Sequence, residues 1–155
     1  MAGSLAVAGL NAVSGVLGAA VWHRGSAAIV ASPAGGLVRA FWVLLRVGQG
    51  SALTLAVAVG SLAAAGSYSS ERLFYLYALL PLAVAFVAEQ LRVASAQTIL
   101  DQRGLEDAQA VGGLAPSEQQ QVVAAIVRRE VGVMALSALV VVFLALRAAG
   151  TAHGF

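Results

Sequence analysis

Four long apolar runs decide what this chain can become. They lie at about residues 2–22, 37–65, 73–88 and 131–149, and few charged side chains interrupt them. A helix of about 20 apolar residues covers the ~30 Å hydrocarbon core of a bilayer. Inside lipid a backbone must satisfy its own hydrogen bonds. These runs lack the strict alternation of a membrane barrel, so helices remain. Composition agrees: 60% of the 155 residues are hydrophobic and 10% are charged, too few charges to cover a soluble domain. The expected fold is all-α: a four-helix transmembrane bundle forming one integral membrane domain over residues 1–155. Its spans are expected at about 2–22, 37–65, 72–100 and 118–149, the last two including extensions beyond the membrane.

The first run has to be weighed against a secretory signal. No charged side chain precedes it, the first arginine, Arg24, follows it, and it is long enough to cross. It is read as a retained first span.

Arginine placement sets the expected orientation. All nine basic residues are arginines, and the absence of lysine with heavy Ala, Gly and Val use points to a GC-rich bacterial genome. Arg24, Arg39, Arg46, Arg92, Arg103, Arg128 and Arg129 lie in or beside the first and third connections, whereas Arg72 and Arg147 lie at the other side. The positive-inside tendency then puts both termini outside and both longer connections in the cytoplasm of a bacterial plasma (inner) membrane. Trp22, Phe41 and Trp42 are expected at the inner interface, and Tyr68, Phe74 and Tyr75 at the outer one.

The connections differ in kind. Ala31, Ser32, Pro33, Ala34, Gly35 and Gly36 form a loop signature, residues 66–70 a tight turn, and residues 103–116, with Gly104, Gly112 and Gly113, an irregular tip. On either side of that tip, helix is expected to continue, with one stripe of Leu91, Ala94, Ser95, Thr98 and Ile99 and another of Val122, Val123, Ile126 and Val127. Ser117 and Gln120 have the spacing of a capping box. Spans three and four should therefore extend into the cytoplasm as a helical hairpin, each helix about 45 Å long at 1.5 Å per residue. Pro81 removes the amide that would bond the Tyr77 carbonyl and is expected to kink span three.

Little in the chain points to catalysis. There is no cysteine, which removes disulfide, thiol and iron–sulfur chemistry, and the two histidines, His23 and His153, fall outside the runs. No metal site, cofactor or catalytic motif can be assembled. Asp101, Glu106 and Asp107 read as a solvated tip. A net charge of +2 offers no field for nucleic acid.

Three groups of residues carry the remaining information. Arg46 and Glu89 are charges within or near spans two and three, where a charge at mid-membrane costs about 2.5–3.5 kcal/mol. An ion pair is expected there, with Gln49, Gln90 and Arg92 completing a polar cluster suited either to structure or to an anionic or quinone-like headgroup. Asn11, Gly15 and Ala19 on span one, and Gly50, Thr54 and Ala58 on span two, form small-residue rows for close helix packing, with Asn11 and Gln49 bonding across. Arg128, Arg129 and Glu130 stand at the inner mouth of span four, where they set topology, touch anionic headgroups or dock a partner.

The leading expectation is a non-enzymatic accessory or scaffold component acting through helix–helix contacts, with the lipid bilayer and either a membrane-protein partner or a second copy as its company. The alternatives are a lipid- or quinone-headgroup-binding protein using the Arg46–Gln49–Glu89 cluster, and a small transporter or channel subunit in which Glu89 titrates.

Overall fold

The structure is a computed structural model that describes residues 1–31, 35–66 and 72–152. The loop at Ser32, Pro33 and Ala34, most of the 66–70 turn with Tyr68, and His153 lie outside the described residues. Five helices follow one another: α1 (Ala2–Ala31), α2 (Gly36–Ala64), α3 (Arg72–Gln102), the short α4 (Ala108–Gly112) and α5 (Pro116–Thr151). Among the described residues there is no strand, and α1, α2, α3 and α5 are each long and apolar enough to cross a membrane.

The four long helices form a ring in which each runs antiparallel to both neighbours. Gly3 faces Leu55, Asn11 faces Gly48 and Gly18 faces Phe41, which sets α1 against α2. Gly15 meets Leu139, Gly18 meets Ala135 and Gly132 meets Trp22, which sets α5 against α1. Arg46 reaches Glu89 and Arg92 reaches Glu130, joining α3 to α2 and to α5.

Small residues set the closest approach. A Cβ built on Gly18 would lie 2.6 Å from both Ala135 Cβ and Phe41 Cε2, and one on Gly15 would lie 2.7 Å from Leu139 Cδ2. On α5, Ala135 meets Gly18 and Ala145 clusters with Val7 and Ala8, and Ala138, Ala148 and Ala149 are buried as well. Short side chains on both helices let the backbones approach, so dispersion replaces the hydrophobic drive that lipid removes. On α2 the buried row is Phe41, Leu45, Gly48, Ala52, Ala56 and Val59.

That row corrects an expectation. Gly50, Thr54 and Ala58 point outward, and nothing lies within 4 Å of a Cβ on Gly50. Two residues along a helix is about 200° of rotation, so Gly48 takes the inner face and Gly50 the outer one. On α1, Asn11 and Gly15 are buried as expected, while Ala19 is exposed.

The helix ends differ from expectation in three places. Gly25, with φ 77° and ψ 173°, breaks the helical path of α1, yet helix resumes to Ala31 and Ile29 is buried with Phe41 and Ala124. Apolar residues beyond the break find a core to enter, so the extension contains the end of α1 and the start of α2 as well as the expected hairpin of α3 and α5. The tip is not wholly irregular. Gly104, at φ 67°, closes α3 with the Leu105 amide donating to Leu100 O and its own amide to Asp101 O. Asp107 then caps α4 by accepting from the Ala110 amide at 2.8 Å. Finally, α5 starts at Pro116, one residue before Ser117, and the Glu118 carboxylate accepts from the Ala115 amide at 3.3 Å. A proline fixed at φ near −65° suits that first position better than serine.

Helix α3 continues through buried Pro81. The two stripes beside the tip are only partly inward: Ser95 and Val122 are buried, while Leu91, Ala94 and Val123 are exposed. Phe41 and Phe74 are turned into the bundle, at 0% and 4% exposure.

Gly18→Ala is expected to lower the unfolding free energy in detergent by about 1–3 kcal/mol, the usual cost of overpacking. Gly60→Ala, whose Cβ would meet nothing within 4 Å, should leave it unchanged or raise it. Equal midpoints for the two variants in reversible denaturation would mean that the α1–α5 approach is looser than described.

Candidate functional site

Apolar helices have no solvent to satisfy their polar side chains, so each must find a partner inside the bundle. The hydroxyls do so locally. Ser14, Ser51, Thr54, Ser95, Thr98, Ser137 and Thr151 each donate to a carbonyl three or four residues earlier in their own helix. Asn11, 2% exposed, donates through Nδ2 to Val7 O at 2.9 Å and across to Gly48 O at 3.5 Å. Its expected partner, Gln49, turns away: Gly48 is the residue on the face that meets α1.

Gln49 instead joins the charges. Arg46 Nη1 donates to Glu89 Oε1 at 2.5 Å and to Gln49 Oε1 at 2.7 Å, and Gln49 Nε2 donates to the same Glu89 oxygen at 3.3 Å. The second Glu89 oxygen accepts from Arg92 Nε at 2.9 Å. Arg92 also reaches Glu130 Oε1 at 3.9 Å, and its guanidinium carbon lies 5.7 Å from the Trp42 ring centre. The result is one chain of alternating charge, Arg46–Glu89–Arg92–Glu130, running from α2 through α3 to α5. Its positive and negative members are equal in number. Arg46 is the most open, with 53% of its side chain exposed against 27% for Glu89 and 18% for Glu130. Gln90 is exposed and takes no part in this chain of bonds.

The remaining expected residues lie on another face. Arg128 Nε donates to Trp22 O at 3.3 Å, and its guanidinium carbon sits 5.0 Å from the Trp22 ring centre. Arg129, next along, is exposed and lines an apolar furrow between α1 and α5. Adjacent positions on α5 thus diverge: Glu130 turns to α3, while Arg128 and Arg129 turn to α1. No sequence signal separates them, since all three belong to one charged run.

Among the described residues no group of three or more His, Cys, Asp or Glu side chains could hold a metal ion. Chemically, the charged chain can couple α2, α3 and α5, because both Glu89 oxygens accept from guanidiniums and Arg92 stands between Glu89 and Glu130. Arg147, at the opposite end, lies 5.5 Å from the Tyr77 ring centre and joins α5 to α3 there.

No protein family, curated protein or solved structure matches this chain.

Glu89→Gln should cost about 1–3 kcal/mol of stability, because it strips charge from a group with three partners. Arg46→Gln, with its exposed side chain, should cost less than about 1 kcal/mol. The two substitutions are expected to be non-additive in a double-mutant cycle. A cycle that closes at zero would show the side chains to be energetically independent.

Proposed function

We propose that this chain is a non-enzymatic, four-span component of a bacterial inner membrane, with both termini outside, acting as a scaffold through contacts between helices. The observation that carries this reading is the Arg46–Glu89–Arg92–Glu130 chain: its charges are directed at one another across three helices. A set of side chains arranged in this way holds a bundle together and leaves no uncompensated charge at its own position for chemistry.

The depth of the charges supports a membrane placement. From this level to the far end, α1 offers residues 2–22, α2 residues 47–64, α3 residues 73–88 and α5 residues 131–146. These lengths amount to about 24–32 Å at 1.5 Å per residue, matched to a hydrocarbon core of ~30 Å. The charges then lie at the membrane boundary, where arginine is far cheaper than at the centre. Seven of the nine arginines sit at or beyond that level, and Arg72 and Arg147 at the other end, which favours the charged end as cytoplasmic.

The outward face of α2 supports the contact role. Gly50, Thr54 and Ala58 lie in one exposed row, and the Thr54 hydroxyl is turned onto Gly50 O at 2.9 Å. Such a surface lets a further helix, from a partner or a second copy, approach closely.

Native mass spectrometry of the protein extracted gently from its own membrane should find it with a stoichiometric protein partner or second copy. Gly50→Leu with Thr54→Leu should release that partner without shifting the unfolding midpoint. A protein found alone in every such extract would overturn the scaffold reading. Orientation has its own test, made clean by the lack of native cysteine. A membrane-impermeant maleimide added to intact cells should label Ala2→Cys and spare Glu106→Cys, and the reverse pattern would invert the topology.

A further inference from the structure

The charges at the boundary level are unevenly distributed around the bundle. On the face made by α2, α3 and α5 they balance, as described. On the face made by α1 and α5 they do not: among the described residues, no carboxylate pairs with Arg128 or Arg129. Arg129 lines the furrow between α1 and α5, which has a volume of about 440 Å³, and Arg128 adjoins it through Trp22, whose carbonyl and ring it contacts.

The furrow is built by a close contact. A Cβ on Gly132 would lie 2.9 Å from Trp22 Cδ1 and 3.0 Å from Nε1, so only glycine lets the indole rest against α5 there. The Arg128 guanidinium carbon lies 5.0 Å from the Trp22 ring centre, and Trp22 remains 47% exposed. Below the indole, toward mid-bundle, Ala19, Leu136 and Leu139 line an apolar channel. On α5 the channel extends from Gly132 to Leu139, about 10 Å at 1.5 Å per residue. Its polarity is therefore ordered along the helix axis: two cations without a carboxylate partner among the described residues, then an amphipathic ring, then hydrocarbon. A second apolar furrow, between α3 and α5, has no charged residue in its lining and lacks this order.

We infer that the furrow between α1 and α5 is a binding site for one anionic phospholipid, its phosphate held by Arg128 and Arg129, its glycerol level by Trp22, and one acyl chain lying along Ala19, Leu136 and Leu139. The complementarity is in charge and in sequence of polarity. A guanidinium offers a phosphate two parallel donors, a tryptophan prefers the headgroup boundary, and the channel beyond presents only apolar surface to a chain. The site is separate from the Arg46–Glu89 cluster, where the positive charges already have carboxylate partners. It also stands whether or not a protein partner is found, since it needs only a membrane.

The test uses the whole protein in detergent, with lipid retention read by native mass spectrometry against phosphatidylglycerol and phosphatidylcholine of equal chain length. Phosphatidylglycerol should be retained in preference, with one strongly held copy. Each of Arg128→Gln and Arg129→Gln should weaken that retention about fivefold, the effect of one basic residue near a membrane surface, and Arg129→Lys should restore most of it. Arg46→Gln should leave it unchanged. Ala19→Phe, an exposed position that fills the channel, should weaken retention of long-chain lipid while leaving any binding of inorganic phosphate intact. Equal retention of the two lipids, or a preference that survives loss of both arginines, would overturn the site. So would binding of inorganic phosphate with no preference for anionic lipid, which would assign the arginines to a free anion. Circular dichroism of each variant separates loss of the site from loss of fold.

Discussion

Everything in this bundle is arranged around the cost of a polar group that has no water to turn to. In a soluble helix a serine or an arginine can face solvent. In a helix long and apolar enough to cross a membrane, the nearest partner is the helix itself or its neighbour. The short side chains take the first course, and the hydroxyls bond back to their own carbonyls without drawing on any tertiary contact. The long ones take the second. Arg46 bonds to Glu89 across α2 and α3, and Arg92, bonded to Glu89 within α3, pairs with Glu130 of α5, so the four charges link three helices at one level.

That alignment works together with a different means of closing the opposite side. Among the described residues no ion pair joins α1 to α5, and close contact there depends on Gly15, Gly18 and buried alanines. Close backbone approach gives many weak dispersion contacts, and it tolerates no added carbon where Gly18 meets Ala135 and Phe41. The bundle is thus joined by ion pairs on one face, and on the other by shape together with the Arg128 contact to Trp22. One consequence is that Arg128 and Arg129, on the side without ion pairs, are left with surplus charge at the boundary level.

Much of the architecture could be read from the residues. The number of long helices, their approximate limits and the level of the charges follow from hydropathy, because a run of about 20 apolar residues has few alternatives. The pairing of Arg46 with Glu89 was legible for a related reason: two opposite charges at similar depth on antiparallel neighbours have few other partners. The errors were errors of rotation. Gly50, Thr54 and Ala58 have the spacing of a packing row, but spacing in a chain so rich in alanine and glycine does not say which way a row points. Phe41 and Phe74 sit at the ends of their apolar runs, and only the packing shows that both turn inward. Asn11 found the Gly48 carbonyl instead of the Gln49 side chain, a difference of about 100° around α2.

The sequence by itself determined that the chain is helical, apolar along four segments, and charged at one level, because these properties follow from side-chain chemistry and from the backbone's need for internal hydrogen bonds. Only the tertiary structure decided which face of each helix is inside, because hydropathy barely varies around helices that are apolar on all sides. It also decided that Glu130 joins the paired charges while its neighbours Arg128 and Arg129 do not. Consecutive residues on a helix point about 100° apart, and the position of α1 on one side of α5 and α3 on the other sends them to different surroundings.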